Sequence, residues 1–244
     1  MNITTENISI PVGNDTMPAY VARPEGHEKL PAVIVWMEIF GVNSHIQSVT
    51  ERVASEGYVA CAPNFFHREA PDLNLGYDEA GMNEGIAHMM KLTADTMIAD
   101  QRAAIAYLRG RDDVTGKVGA MGFCIGGHMT YLTACENDID AAASFYGGGI
   151  AAPEGPGGAA STISRTAQID CPIVCLFGAL DAHIPPEHTG AVADALKAEG
   201  RNGEVVIYDD ADHGFFCDQR ASYNESSATD AWGRVKQLFA ENLR

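Results

Sequence analysis

Six short apolar runs are spaced along the chain: "PAVIVWM" (31 to 37), "GYVACAP" (57 to 63), "KVGAMG" (117 to 122), "AAASFYG" (141 to 147), "CPIVCLFG" (171 to 178) and "EVVIYDD" (204 to 210). Most are apolar throughout instead of alternating, which is the mark of strands covered on both faces. Between them, the stretches 44 to 57, 93 to 110, 126 to 135, 186 to 200 and 226 to 242 carry helical patterns. Strand and helix alternate, so the expected fold class is α/β, a mostly parallel central sheet with helices on both faces. Ahead of these, "ENISIPVG" and "PAYVARP" alternate apolar and polar residues around "GNDT", the pattern of an N-terminal antiparallel hairpin. Ligands of such sheets bind at the carboxyl ends of the strands, so the chemistry is expected on the loops after 37, 63, 122, 147, 178 and 210.

A length of 244 residues suits one α/β domain spanning 1 to 244, with 46% hydrophobic residues to fill its core. Sixteen Lys and Arg against 33 Asp and Glu leave a formal charge of −17, which repels nucleic acid and anionic lipid. The start "MNITTENISIPVG" lacks a basic, then apolar, leader, and no run approaches the roughly 18 to 20 apolar residues of a membrane span. A cytoplasmic protein is expected, with neither nucleic acid nor membrane as partner.

Six cysteines are too few for a disulfide framework in a chain this long. No paired CxxC spacing suggests zinc, and Cys171 and Cys175, four apart on a strand, stand about 13 Å from each other, too far for one tetrahedral ion. Cys124 differs from the rest. In "GFCIG" it follows a strand and precedes a helix, in the G-x-nucleophile-x-G form of a sharp strand-to-helix turn, where glycines avoid collisions with the neighbouring strand and helix. The helix N-terminus and a nearby imidazolium would favour its thiolate.

A nucleophile needs a base, and the base an orienting acid. The loop after "CPIVCLFG" supplies Asp181 and the loop after "EVVIYDD" supplies His213, in the order nucleophile, acid, histidine used by α/β-hydrolases. His183 and His188 compete as bases, and Asp209, Asp210 and Asp212 as acids. His213 is preferred because it has its own strand before it and Gly214 after it. The amides of Ile125 and of Ile39, in "EIFG", are the candidate oxyanion donors. The Gly-rich stretch 147 to 162 is either an active-site lid or a flexible connection.

Together "MEIFGVN" (37 to 43), "GFCIGG" (122 to 127), "ALDAHIP" (179 to 185) and "DADHGFFCDQRASYN" (210 to 224) resemble the dienelactone hydrolase family, or carboxymethylenebutenolidases, across nearly the whole chain. The resemblance implies an α/β-hydrolase fold, hydrolysis of a lactone or small ester, and no metal or cofactor. It implies Cys124, Asp181 and His213 as the triad, and Glu38 as a carboxylate that restrains the resting thiol until an anionic substrate disturbs its ion pair with an arginine. It also implies Arg68 as the binder of a substrate carboxylate and Tyr146 as an aromatic residue facing the pocket. The chain departs from the family at Gly214, where serine is usual, and at Cys217, where arginine is usual; Arg220 is the candidate replacement. The expected partner is a small ester or lactone, anionic if the arginine site holds, and the acidic surface permits a monomer or a small homo-oligomer. The rival reading is a hydrolase-fold binding or regulatory protein whose thiol responds to oxidation, with Cys217 as a resolving thiol.

Overall fold

The computed structural model describes residues 2–26 and 28–244. Eight strands form one sheet: β1 (Ile3–Val12), β2 (Asp15–Pro24), β3 (Leu30–Trp36), β4 (Val59–Pro63), β5 (Val114–Phe123), β6 (Ala141–Phe145), β7 (Ile173–Gly178) and β8 (Gly203–Tyr208), in spatial order 1-2-4-3-5-6-7-8. β1 and β2 make the hairpin, with Val12 opposite Asp15 across a two-residue turn, and β2 lies antiparallel to β4. Every other pairing is parallel. The strands from β3 to β7 are buried from end to end apart from Leu30 and residues 115 to 117 of β5, which is why their sequences do not alternate.

Six α-helices flank the sheet: α1 (Ser44–Ser55), α2 (Glu79–Met89), α3 (Ala94–Arg109), α4 (Ile125–Glu136), α5 (Pro186–Ala198) and α6 (Glu225–Asn242). α1 and α6 meet through Arg52, whose guanidinium lies 4.5 Å from the Trp232 ring, while α3 packs on α4. Polar side chains start four of them: Asn43, Asp78, Thr93 and Asn224 each accept an amide of the first turn. α4 is buried on all sides from Ile125 to Cys135, so it shows no apolar stripe. Among the described residues no helix is long and apolar enough to cross a membrane.

Five of the helices stand where the sequence places them, within two residues at either end. α2 does not appear in the sequence pattern. Two glycines, poor helix formers, interrupt it, and both are needed for close approach: a Cβ on Gly85 would come within 2.6 Å of the Ile39 carbonyl oxygen, and Gly81 abuts the backbone of Gly76.

The β5-to-α4 turn is tighter still. A Cβ on Gly122 would approach the Trp36 Cβ to 2.7 Å, and one on Gly126 would press on the carbonyl groups of Trp36 and Met37. Gly126→Ala is therefore expected to destabilise the fold by about 2–4 kcal/mol in a urea melt, since backbone cannot give way as a side-chain tip can. Gly190→Ala, on the open face of α5 with nothing within 4 Å, is expected to add about 0.5–1 kcal/mol. Equal effects at the two positions would contradict the packing described.

Candidate active site

Cys124 occupies the turn with φ 57° and ψ −120°, a conformation that costs a non-glycine residue on the order of 1–3 kcal/mol. The surroundings hold it there. Its N–H donates to the Phe145 carbonyl at 3.1 Å, and its own carbonyl accepts from Gly127 at 2.9 Å and His128 at 3.1 Å. The thiol, half-buried, projects from the carboxyl edge of the sheet at the N-terminus of α4.

His213 and Asp181 arrive from the loops after β8 and β7, which are neighbours in the sheet. His213 Nδ1 lies 2.7 Å from Asp181 Oδ2, and Asp181 Oδ1 accepts the His183 N–H at 2.8 Å. With Asp181 accepting at Nδ1–H, the other ring nitrogen is left without a protein partner among the described residues, and His213 and Cys124 line the same cleft. Burial works against the imidazolium, but the charge on Cys124 and the Asp181 carboxylate outweigh it and push His213 up to about 10. Burial likewise opposes the Asp181 carboxylate, and His213 more than offsets it, holding Asp181 below its usual range.

The rival residues are otherwise engaged. Asp210 binds Asn224 and Ser227 at the start of α6, Asp212 accepts the His213 backbone N–H at 2.6 Å, and Asp209 is exposed. His188 sits on α5, away from the cleft. His183 does reach the cleft, with its exposed ring 5.3 Å from that of His213.

Glu38 is 1% exposed, and its Oε1 accepts from Arg220 Nη1 at 3.1 Å. The guanidinium also lies 5.7 Å from the Phe40 and Tyr77 ring centroids. Gly214 makes this possible: at φ +80°, a Cβ there would come within 2.5 Å of Arg220 Nη1. Gly214 and Arg220 are thus coupled: the missing side chain at one position admits the guanidinium of the other. Glu38, His45 and Cys217 offer atoms within 4.8 Å of one another. As a metal site the group is poorly suited, because Arg220 already holds one Glu38 oxygen, Cys217 points its thiol at Tyr77 Oη (3.3 Å), and burial pushes that thiol up to about 11.

Two expected binding residues lie elsewhere. Arg68 grips the fully buried Asp100 with two bonds, of 2.7 and 3.0 Å, and His67 shares that carboxylate at 3.1 Å. A buried carboxylate demands such a counter-charge, and Arg68, beside a separate small cavity, is spent on it instead of on substrate. Tyr146 is fully buried and forms no part of the cleft wall; its ring backs His213 edge-on at 5.0 Å. Ile39 and Ile125 do border the cleft, and among the described residues no protein acceptor takes either N–H.

The cleft over Cys124 has a volume of about 620 Å³. One wall is the Gly-rich stretch, whose Gly148, Gly149, Ala152 and residues 154 to 158 face inward. It is anchored by the buried His128, with Nδ1 2.8 Å from the Gly148 oxygen and Nε2 2.8 Å from Thr162 Oγ1; burial lowers its pKa and keeps the ring neutral for that pairing. The other wall is α2 and its continuation, through Met82, Ile86, Met89, Met90 and Leu92. Sequence reasoning missed this wall, although its apolar residues recur at helical spacing.

The model of the dienelactone hydrolase family matches residues 17–243. The chain belongs to the dienelactone hydrolase family. A Synechocystis protein named "Putative carboxymethylenebutenolidase" is 43% identical over 100% of this chain and 99% of its own length. One of the same name from Salmonella typhimurium is 35% identical over 96% of this chain and 86% of its own. A crystal structure described as "Putative Dienelactone Hydrolase", from Klebsiella pneumoniae, superposes with a TM-score of 0.89 at 33% identity, covering 99% of this chain and 100% of that one. This member of the dienelactone hydrolase family is thus a carboxymethylenebutenolidase-like hydrolase with the α/β-hydrolase fold.

Gly214→Ala is expected to drive Arg220 off Glu38 and to cost about 1–3 kcal/mol, from backbone strain and a broken buried pair. A urea melt and the crystal structure of the variant check this. Wild-type stability with the pair intact would contradict the coupling.

Proposed function

We propose that the chain hydrolyses carboxylic esters or lactones through a thioester on Cys124, with His213 as proton carrier and Asp181 as its orienting acid. The observation that carries this reading is the meeting of a strained thiol with an imidazole whose far nitrogen is 2.7 Å from a buried carboxylate. The Cys124 thiolate attacks the carbonyl carbon, and the oxygen gathers negative charge between the Ile39 and Ile125 amides. Collapse of the adduct breaks the ester bond, and the leaving alkoxide takes the proton from His213.

Acylation also changes the base. The thiolate charge supports the His213 imidazolium more than any other group does, and it vanishes when the thioester forms. His213 then takes a proton from water, the hydroxide attacks the thioester, and the thiolate departs. Glu38 is buried, and Arg220 supplies its counter-charge. The redox reading draws no support from Cys217, which is buried, raised to about 11 and bonded to Tyr77.

Cys124→Ala is expected to lower kcat/KM on an aryl ester at least about a thousandfold while remaining folded. Retained activity would sink the proposal. The imidazolium is present below the raised pKa of His213 and lost above it, so kcat/KM for an alkyl ester, which needs the proton, should fall as pH rises through about 10. Asp181→Asn removes part of what raises that pKa and should move the alkaline limb to lower pH, besides cutting the rate by about 10⁴-fold. A limb that stays in place would remove Asp181 from the mechanism.

A further inference from the structure

We infer that the substrates of this site are uncharged esters or lactones carrying an extended apolar group, seated against α2. The inference rests on the hydrolase reading and adds the class of molecule. A volume of about 620 Å³ falls within the range that holds a drug-sized ligand and far exceeds what a monocyclic lactone fills. Ile39, Phe40, Met82, Ile86, Met89 and Leu92 surround the space leading from the thiol. Met82, Met89 and, at the rim, Met90 let that wall follow an irregular apolar shape, as unbranched thioether side chains do.

Charge points the same way. Arg220 is the only Lys or Arg among the described residues of the cleft wall, and it is committed to Glu38, which is buried and would be left uncompensated if the guanidinium turned to a substrate carboxylate. Arg68 is held by Asp100 outside the cleft. The other charges on the wall are the His213 imidazolium, which is paired with Asp181, and the exposed Glu154, an anion, within a chain of net charge −17. An anionic substrate therefore meets no cation that is not already paired with a protein carboxylate. The rim adds a third observation: Ile86 and Met90 on and just past α2 are 40% and 75% exposed, apolar surface placed at the mouth of the cleft.

The test is a series of p-nitrophenyl esters with acyl chains of two to eight carbons, a parallel series of alkyl acetates of the same lengths, and a glutaryl ester as the anionic counterpart of a neutral chain of equal length. Expected is a rise in kcat/KM of at least about tenfold from shortest to longest in one or both series, burial of one methylene being worth roughly fourfold. The neutral ester should exceed its anionic counterpart by at least tenfold. Ile86→Asp should cut the long-to-short ratio at least tenfold, and because Ile86 is exposed this variant should fold. A flat or falling profile in both series, or preference for the anionic ester, would overturn the inference while leaving the hydrolase reading intact. If no ester turns over, the hydrolase reading fails, and calorimetry on Cys124→Ala still decides the inference. Methyl decanoate must then bind at least tenfold more tightly than methyl butyrate, and equal binding would overturn it.

Discussion

The turn from β5 into α4 is the constraint around which the rest of the site is arranged. It holds Cys124 at φ 57°, and this is possible because Gly122, Gly126 and Gly127 let the backbones of Trp36, Met37 and Phe145 come closer than any side chain would allow. The same turn aims the first amides of α4 at the space beside the sulfur. With the sheet parallel, the loops after β7 and β8 open on the same edge, so the acid and the imidazole meet the thiol with no further device than strand order.

Buried charges around this turn are settled in pairs, and the pairs decide which residues face the substrate. Asp100 draws in Arg68 and His67, and Glu38 draws in Arg220. Leaving either carboxylate alone in the interior would cost several kcal/mol, more than a cation gains by waiting in an open cleft. Gly214 makes the second pair possible: a missing side chain beside the histidine gives Arg220 room to reach Glu38. What is left over the thiol is an apolar chamber.

The strands, five of the six helices and the loops bearing Cys124, Asp181 and His213 were legible in the sequence because each rests on a local pattern, a continuous apolar run or a residue just after one. α2 was not, because Gly81 and Gly85 are there for contacts with Gly76 and Ile39 that local sequence does not reveal, and their low helix propensity hides the helix. Arg68 was misplaced for a related reason. Its partner Asp100 is 32 residues away on α3, and nothing in "FFHREAP" signals that a buried carboxylate will claim it. Tyr146 does follow a strand that ends at the site, but its ring turns into the core behind His213 instead of into the cleft.

The central claim is that the strained thiol at the turn forms the covalent bond. Its most direct test is rapid acid quenching of the protein during turnover of an activated ester, followed by intact mass and peptide mapping. The account predicts one acyl group, carried by Cys124 alone and absent from Cys124→Ala. Steady hydrolysis with no acylated protein, or an acyl group on any other residue, would contradict it.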